Sequence, residues 1–251
     1  SPGQVDADVV HGDTLRGDPA AASREHPSGA CGWVSVRIEV WSDVVCPWCY
    51  IGKRRLERAL AGHDGEVEVV WRSFQLDPSA PMLPTETVAE HLGRKYGGGL
   101  EAGLGMIAQV DAIAAEEGLT YRQQEAQVVN TIDAHRLLHL AAATGHQGAL
   151  TEALLSAYFT QARNIADHHV LREIAVGVGM PGDDVDETLA TDRFGENVEA
   201  DVDQARAYGA SGVPFFVVDG RYGISGAQPV EVFQQVLARA AADQEPADPA
   251  N

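Results

Sequence analysis

Cys46 and Cys49 are the residues best suited to do chemistry, standing three apart in "DVVCPWCYIGKRRLERA", residues 43–59, around Pro47 and Trp48. Such a pair can exchange disulfides, supply half of a metal site, or pack as two small hydrophobes. An alternating run, "VRIEVWSDV", leads straight into the motif, and a helical apolar stripe through Ile51, Leu56, Ala59 and Leu60 follows it. A strand passing directly into a helix sets Cys46 at or near the N-cap. Pro47 then takes the first helical position, where its missing N–H has no intrahelical partner to lose. Free backbone N–H groups and the positive helix end face the Cys46 sulfur and favour thiolate over thiol. Cys49 lies one turn on, on the same face and deeper in the helix, within reach of a disulfide. In exchange chemistry Cys46 attacks or is attacked, and Cys49 then clears the mixed disulfide.

The rival readings need other residues. Zinc takes about four ligands and one CxxC supplies two; there are three cysteines in all and no second CxxC. His135 and His139 share a helix face at ligand spacing, but Arg136 and Leu137 stand inside the interval, so the glutamate of an HExxH site is missing. The pair reads as a packed or solvated face, and the adjacent His168 and His169 point apart. No metal is therefore expected. Two incidental buried cysteines at a strand–helix junction stay open as an alternative. Lys53, Arg54, Arg55 and Arg58 read as a solvated helix face, with Glu57 for local pairing. Cys31 reads as an incidental free thiol.

A second informative stretch is "SGVPFF", where Pro214 opens a strand. Proline blocks a ladder bond, so it belongs at an edge or in a special turn. Its X–Pro bond can be cis at modest cost; an ordinary strand-start proline is equally open on these residues alone.

The elements that must hold these groups follow from periodicity. Strands are expected at Val36–Trp41, with Val36, Ile38 and Val40 alternating against Arg37 and Glu39, and within "EVEVVWRSFQL" at 66–76. From about Thr85 to Arg193 the chain reads as helix after helix, including "TVAEHLGRKYG", "MIAQVDAIAAEEG" and "IDAHRLLHLAAATG", the last capped by Asn130 and Thr131. After "ENVEADVDQARAYGA", strands at Phe215–Val218 and Arg221–Ile224 turn through Asp219-Gly220, and a closing helix carries Pro229 in its first turn. The chain has 251 residues and a formal net charge of −19. That charge argues against nucleic-acid or anionic-membrane partners. No apolar run approaches the roughly 20 residues of a membrane span, and no secretory signal opens the sequence. A cytoplasmic protein is expected, where a close CxxC is catalytic or metal-binding rather than a staple.

Together "CPWCY", "NTIDAHRLLHLA", "ALLSAYF", "NIADHHVL" and "YGASGVPFFVVDGRYGISGAQP" resemble the thioredoxin-fold DsbA-like oxidoreductases, and most closely their FrnE-type branch. The resemblance implies an α/β, thioredoxin-like fold split by a large all-α helical insertion. The corresponding division is a flexible extension (1–35), a first thioredoxin-like part (36–78), the insertion (79–193), a second thioredoxin-like part (194–242) and a frayed tail (243–251). It implies a protein disulfide oxidoreductase with Cys46 as nucleophilic thiol and Cys49 as resolving thiol. Pro47 and Trp48 tune them, and Val213 and a cis Pro214 face an extended substrate. Partners would be protein or small-molecule thiols and disulfides, with no resident cofactor and with glutathione as an optional co-substrate. Oligomeric state is open, a homodimer included. A sister group, the kappa-type glutathione transferases and 2-hydroxychromene-2-carboxylate isomerases, resembles this chain with serine where Cys46 stands. A glutathione-dependent isomerase or transferase is therefore the alternative reading.

Overall fold

The computed structural model describes residues 35–244, so Cys31 and most of both expected tails lie outside the described residues. In chain order the elements are β1 (Val36–Ser42), α1 (Pro47–Leu60), β2 (Val67–Ser73), α2 (Val88–Tyr96) and α3 (Gly99–Glu116). Then come α4 (Ile132–Thr144), α5 (Gln147–Phe159), α6 (His168–Gly177), α7 (Gly182–Ala190) and α8 (Gly195–Ala207). The chain finishes with β3 (Phe215–Val218), β4 (Tyr222–Ser225) and α9 (Val230–Gln244). The sheet order is β2-β1-β3-β4, with β1 parallel to β2 and antiparallel to β3. This is the mixed α/β, thioredoxin-like arrangement with helices inserted between β2 and β3.

The alternation in β1 suggests one solvated face, yet both faces are covered. Val36, Ile38 and Val40 pack with Leu56, Phe233 and Leu237 of α1 and α9. Trp41 turns the other way, onto Ala205 of α8 and the ring of Tyr208, and its Nε1 donates to Asp201 O at 2.7 Å. Glu39 consequently sits buried in the wall, held by Arg72. A central strand between two layers obeys the layers rather than its own pattern.

Three boundaries differ from expectation. The hairpin turn is as read, with Asp219 at φ 51° and Gly220 at φ 66°, but Arg221 completes the turn and β4 starts at Tyr222. Pro229 stands just before α9 rather than inside its first turn, and α9 continues through Gln244. The third is larger: α3 begins at Gly99, seven residues before Met106 where its apolar stripe starts. Glycine disfavours helix by roughly 1 kcal/mol, but here it permits backbone contact. A Cβ on Gly103 would meet Ala89 O at 1.9 Å, and one on Gly93 would meet Gly99 O at 2.0 Å. Gly103→Ala should therefore push α2 off α3 and cost about 1–3 kcal/mol, measurable as a lower denaturation midpoint in urea.

The basic run of α1 is a solvated face only at Arg58; Lys53 is buried and Arg54 and Arg55 are partly buried. Lys53 is 6% exposed and donates to Glu152 of α5 at 2.6 Å. Glu152 also receives the Tyr50 hydroxyl at 2.7 Å and Arg54 at 3.0 Å. Arg55 donates to Glu117 at the end of α3 at 2.6 Å, and Arg58 lies 2.5 Å from its other oxygen, off the hydrogen-bonding direction. Only Glu57 was foreseeable as a local partner; Glu152 and Glu117 arrive through the fold. These pairs fasten α1 to the inserted helices. Burial alone would raise the Glu152 carboxyl, but hydrogen bonds from Arg54, Lys53 and Tyr50 outweigh it and hold it at about 2. A lowered carboxyl stabilises the fold fully above its ordinary value near 4.5, and that contribution fades as pH falls toward 2. Glu152→Gln should thus weaken the protein at pH 7 and flatten its loss of stability between pH 5 and pH 3, read from urea unfolding at each pH.

Candidate active site

The end of β1 and the start of α1 set the two thiols. Cys46 is the N-cap of α1 with φ −88° and ψ 113°, and Pro47 follows in the first turn. The Cys46 N–H donates to Asp43 O at 3.1 Å and the Cys49 N–H to Cys46 O at 3.0 Å. Both cysteines are free thiols and buried, 3% and 1% exposed, while Trp48 between them is 38% exposed. Both sulfurs are withdrawn from solvent, so exposure does not separate them.

The loop before β3 closes the site from the other side. The Val213–Pro214 bond is cis, and the Cys46 Sγ lies 3.4 Å from Val213 O. Gly52 lets α1 approach Pro214: a Cβ there would sit 3.1 Å from Pro214 Cγ. The six positions singled out in the sequence, Cys46, Pro47, Trp48, Cys49, Val213 and Pro214, thus gather at one end of the sheet.

The two sulfurs differ in environment. Burial pushes the Cys49 thiol well above the ordinary thiol range, and hydrogen bonding with the Cys46 sulfur and its charge add to this. The Ser42 hydroxyl and the Asp43 backbone oppose the shift without cancelling it. Cys46 caps the first turn of α1, where free backbone N–H groups lie.

Sequence reasoning missed the residues that brace the motif. Tyr121, between α3 and α4, donates to Pro47 O at 2.9 Å and stacks on Phe159 at 4.7 Å between ring centroids. Asp43 is 1% exposed; its Oδ2 accepts from Leu76 N at 2.8 Å and its Oδ1 lies 3.2 Å from His135 Nε2. A charged residue inside the apolar run before the motif was the available signal for Asp43; Tyr121 offered none. His135 and His139 do not share a site. His139 Nε2 instead meets Ser73 Oγ at 3.2 Å and Asp201 Oδ2 at 3.1 Å. Because one ring nitrogen serves both, this trio cannot relay a proton as a nucleophilic triad does.

Beside Cys46 opens a cavity of about 510 Å³, bounded by α2, α3 and the segment after β2, with Cys46, Trp48 and Val213 in its wall. The volume is within the range that holds a small molecule.

The sheet order, the helical insertion and a dithiol at an N-cap facing the loop before β3 define a DsbA-like thioredoxin architecture. The sequence model of the DSBA-like thioredoxin domain family matches residues 37–238, and the chain belongs to that family. Among solved structures, the probable DsbA oxidoreductase SCO1869 of Streptomyces coelicolor is 43% identical with a TM-score of 0.80, covering 85% of this chain and 93% of that one. The cytosolic disulfide reductase DsbM of Pseudomonas aeruginosa, solved with GSH, shares the fold at 19% identity and a TM-score of 0.56, covering 82% of this chain and 99% of that one. The uncharacterized protein YwbO of Bacillus subtilis (strain 168) is 26% identical over 208 residues, 81% of this chain and 96% of that protein. Among the described residues, no helix is long and apolar enough to cross a membrane.

Proposed function

We propose that this protein is a thiol–disulfide oxidoreductase working through Cys46 and Cys49. The observation that carries the reading is the Cys46 sulfur at the N-cap of α1, 3.4 Å from Val213 O, with the proton-holding Cys49 one turn behind. In the reducing direction, the Cys46 thiolate attacks a substrate disulfide and one substrate sulfur leaves as thiolate. Cys49 then gives up its proton and attacks Cys46, releasing the second substrate thiolate and leaving the Cys46–Cys49 disulfide. Two electrons pass from protein to substrate, and the oxidising direction is the reverse. The Val213 carbonyl offers a backbone acceptor beside the reacting sulfur, suited to an extended segment laid along the loop.

Partners are protein or small-molecule thiols and disulfides. The likeness to DsbM, solved with GSH and named cytosolic, supports glutathione as co-substrate and a cytoplasmic setting. The ordered segments quoted above support the FrnE-type branch. Glutathione-dependent isomerisation or transfer is not favoured, because a second thiol under the first equips the site for exchange. The test is reduction of insulin disulfides by dithiothreitol, which the purified protein should accelerate; an unchanged rate would remove the proposal.

A further inference from the structure

The hydroxyl of Tyr121 reaches the backbone of the dithiol turn, donating to Pro47 O at 2.9 Å. Its ring is 8% exposed and stacks on Tyr50 and on Phe159, at 6.0 Å and 4.7 Å between centroids. The next residue is fixed as well: Arg122 N donates to Phe159 O, at the end of α5, at 2.6 Å. Burial first, and the charge of the Cys46 sulfur next, push the Tyr121 hydroxyl far above the ordinary phenol range. It therefore keeps its proton, and remains a donor, wherever thiols exchange.

The bond touches a peptide group that faces the reactive sulfur. Cys46 is the N-cap of α1, and an N-cap side chain is placed to accept from the second or third N–H of its helix. Here those belong to Trp48 and Cys49. The Cys49 N–H is taken by Cys46 O at 3.0 Å, whereas the Trp48 N–H has no acceptor among the described residues. As a thiol, Cys46 makes no cap bond and lies with its sulfur 3.4 Å from Val213 O. A thiolate has no proton to give that carbonyl, and the Trp48 N–H is the free donor within its turn. This N–H and the Pro47 carbonyl are two ends of one peptide group. A donor on the oxygen polarises the group and strengthens what the nitrogen gives. In the Cys46–Cys49 disulfide the sulfur is uncharged and gains less from the same N–H.

We propose that Tyr121 is a positioning residue for the dithiol, acting through the Pro47 carbonyl to favour the reduced protein over its disulfide. The inference rests on the exchange reading and assigns part of the redox balance of that site to the inserted region. Oxidation by glutathione disulfide measures the balance. The protein dithiol gives two electrons and two protons, the Cys46–Cys49 bond forms, the glutathione S–S bond breaks, and two glutathione thiols result.

Tyr121→Phe keeps the ring and its stacking and removes the donor. In glutathione buffers at pH 8, with free thiols alkylated and counted by mass, it should raise the oxidation constant about twofold to fivefold. Urea unfolding reads the same quantity by another route, because folding and oxidation close one thermodynamic cycle. The midpoint should fall further in the reduced protein than in the oxidised one. Tyr50→Phe removes the hydroxyl of the neighbouring ring, which bonds Glu152, and should leave the oxidation constant where it was. An unmoved constant in Tyr121→Phe, with equal loss of stability in both forms, makes Tyr121 an ordinary brace and overturns the proposal. An equal shift in Tyr50→Phe also overturns it, tracing the effect to a loosened α1. A shift confined to Tyr121→Phe, in a protein that does not speed insulin reduction, upholds the role of Tyr121 and strikes instead at the exchange reading.

Discussion

Cys46→Ser should bring the dithiothreitol-driven reduction of insulin to within about twofold of the uncatalysed rate. Serine keeps the N-cap, since its oxygen caps a helix better than sulfur, so the fold and the Val213 contact side of the site remain. What disappears is a sulfur that can form and leave a disulfide; an alkoxide cannot substitute for it at neutral pH. The loss therefore comes from chemistry and not from unfolding, and an unchanged urea midpoint in the same preparation checks this. Activity close to wild type in Cys46→Ser would remove the assignment of Cys46 and, with it, the exchange mechanism.

The second large effect is a change of state. Cys49→Ala should accumulate mixed disulfides between Cys46 and its partners, visible as dithiothreitol-sensitive species on a non-reducing gel. Cys49 is 1% exposed, so alanine leaves a gap smaller than a side chain and costs little else. The wild-type behaviour should depend on pH in a definite direction. Burial, the largest cause, raises the Cys49 thiol, and it persists in the mixed disulfide, where the Cys46 sulfur carries no charge. At neutral pH only a small fraction is thiolate, and that fraction grows about tenfold per pH unit until the raised value is reached. Mixed disulfides of the wild-type protein should accordingly clear faster as pH rises, whereas those of Cys49→Ala should persist at every pH. Trapped species with equal lifetimes in both proteins would contradict the resolving role.

The dithiol end of the molecule was legible because local rules place it. A strand, a proline at N1 and a period of three put Cys46 and Cys49 on one turn, and each of these can be read within fifteen residues. The resemblance, rather than geometry, joined Val213 and Pro214 to them. The braces were not legible. Lys53 looks like any surface lysine until Glu152, 99 residues away, meets it. Tyr121 is an isolated aromatic in a polar loop, and nothing near it points to the Pro47 carbonyl. The start of α3 was hidden for a different reason: Gly99, Gly103 and Gly105 disfavour helix locally, and of the three only Gly103 lies where the close approach of α2 leaves no room for a Cβ.

The helix that carries the thiols belongs to two interiors. Leu56 and Ala59 are built into the core beneath the sheet, while Tyr50 and Ile51 belong to the core of the inserted helices. The insertion is therefore no detachable cassette. A version trimmed to the sheet and its flanking helices would leave Tyr50, Ile51 and Lys53 facing water and Pro47 without its Tyr121 donor. Helix α1 and its roof share one packed interior, so a change in the packing of the roof reaches the residues that surround the two sulfurs.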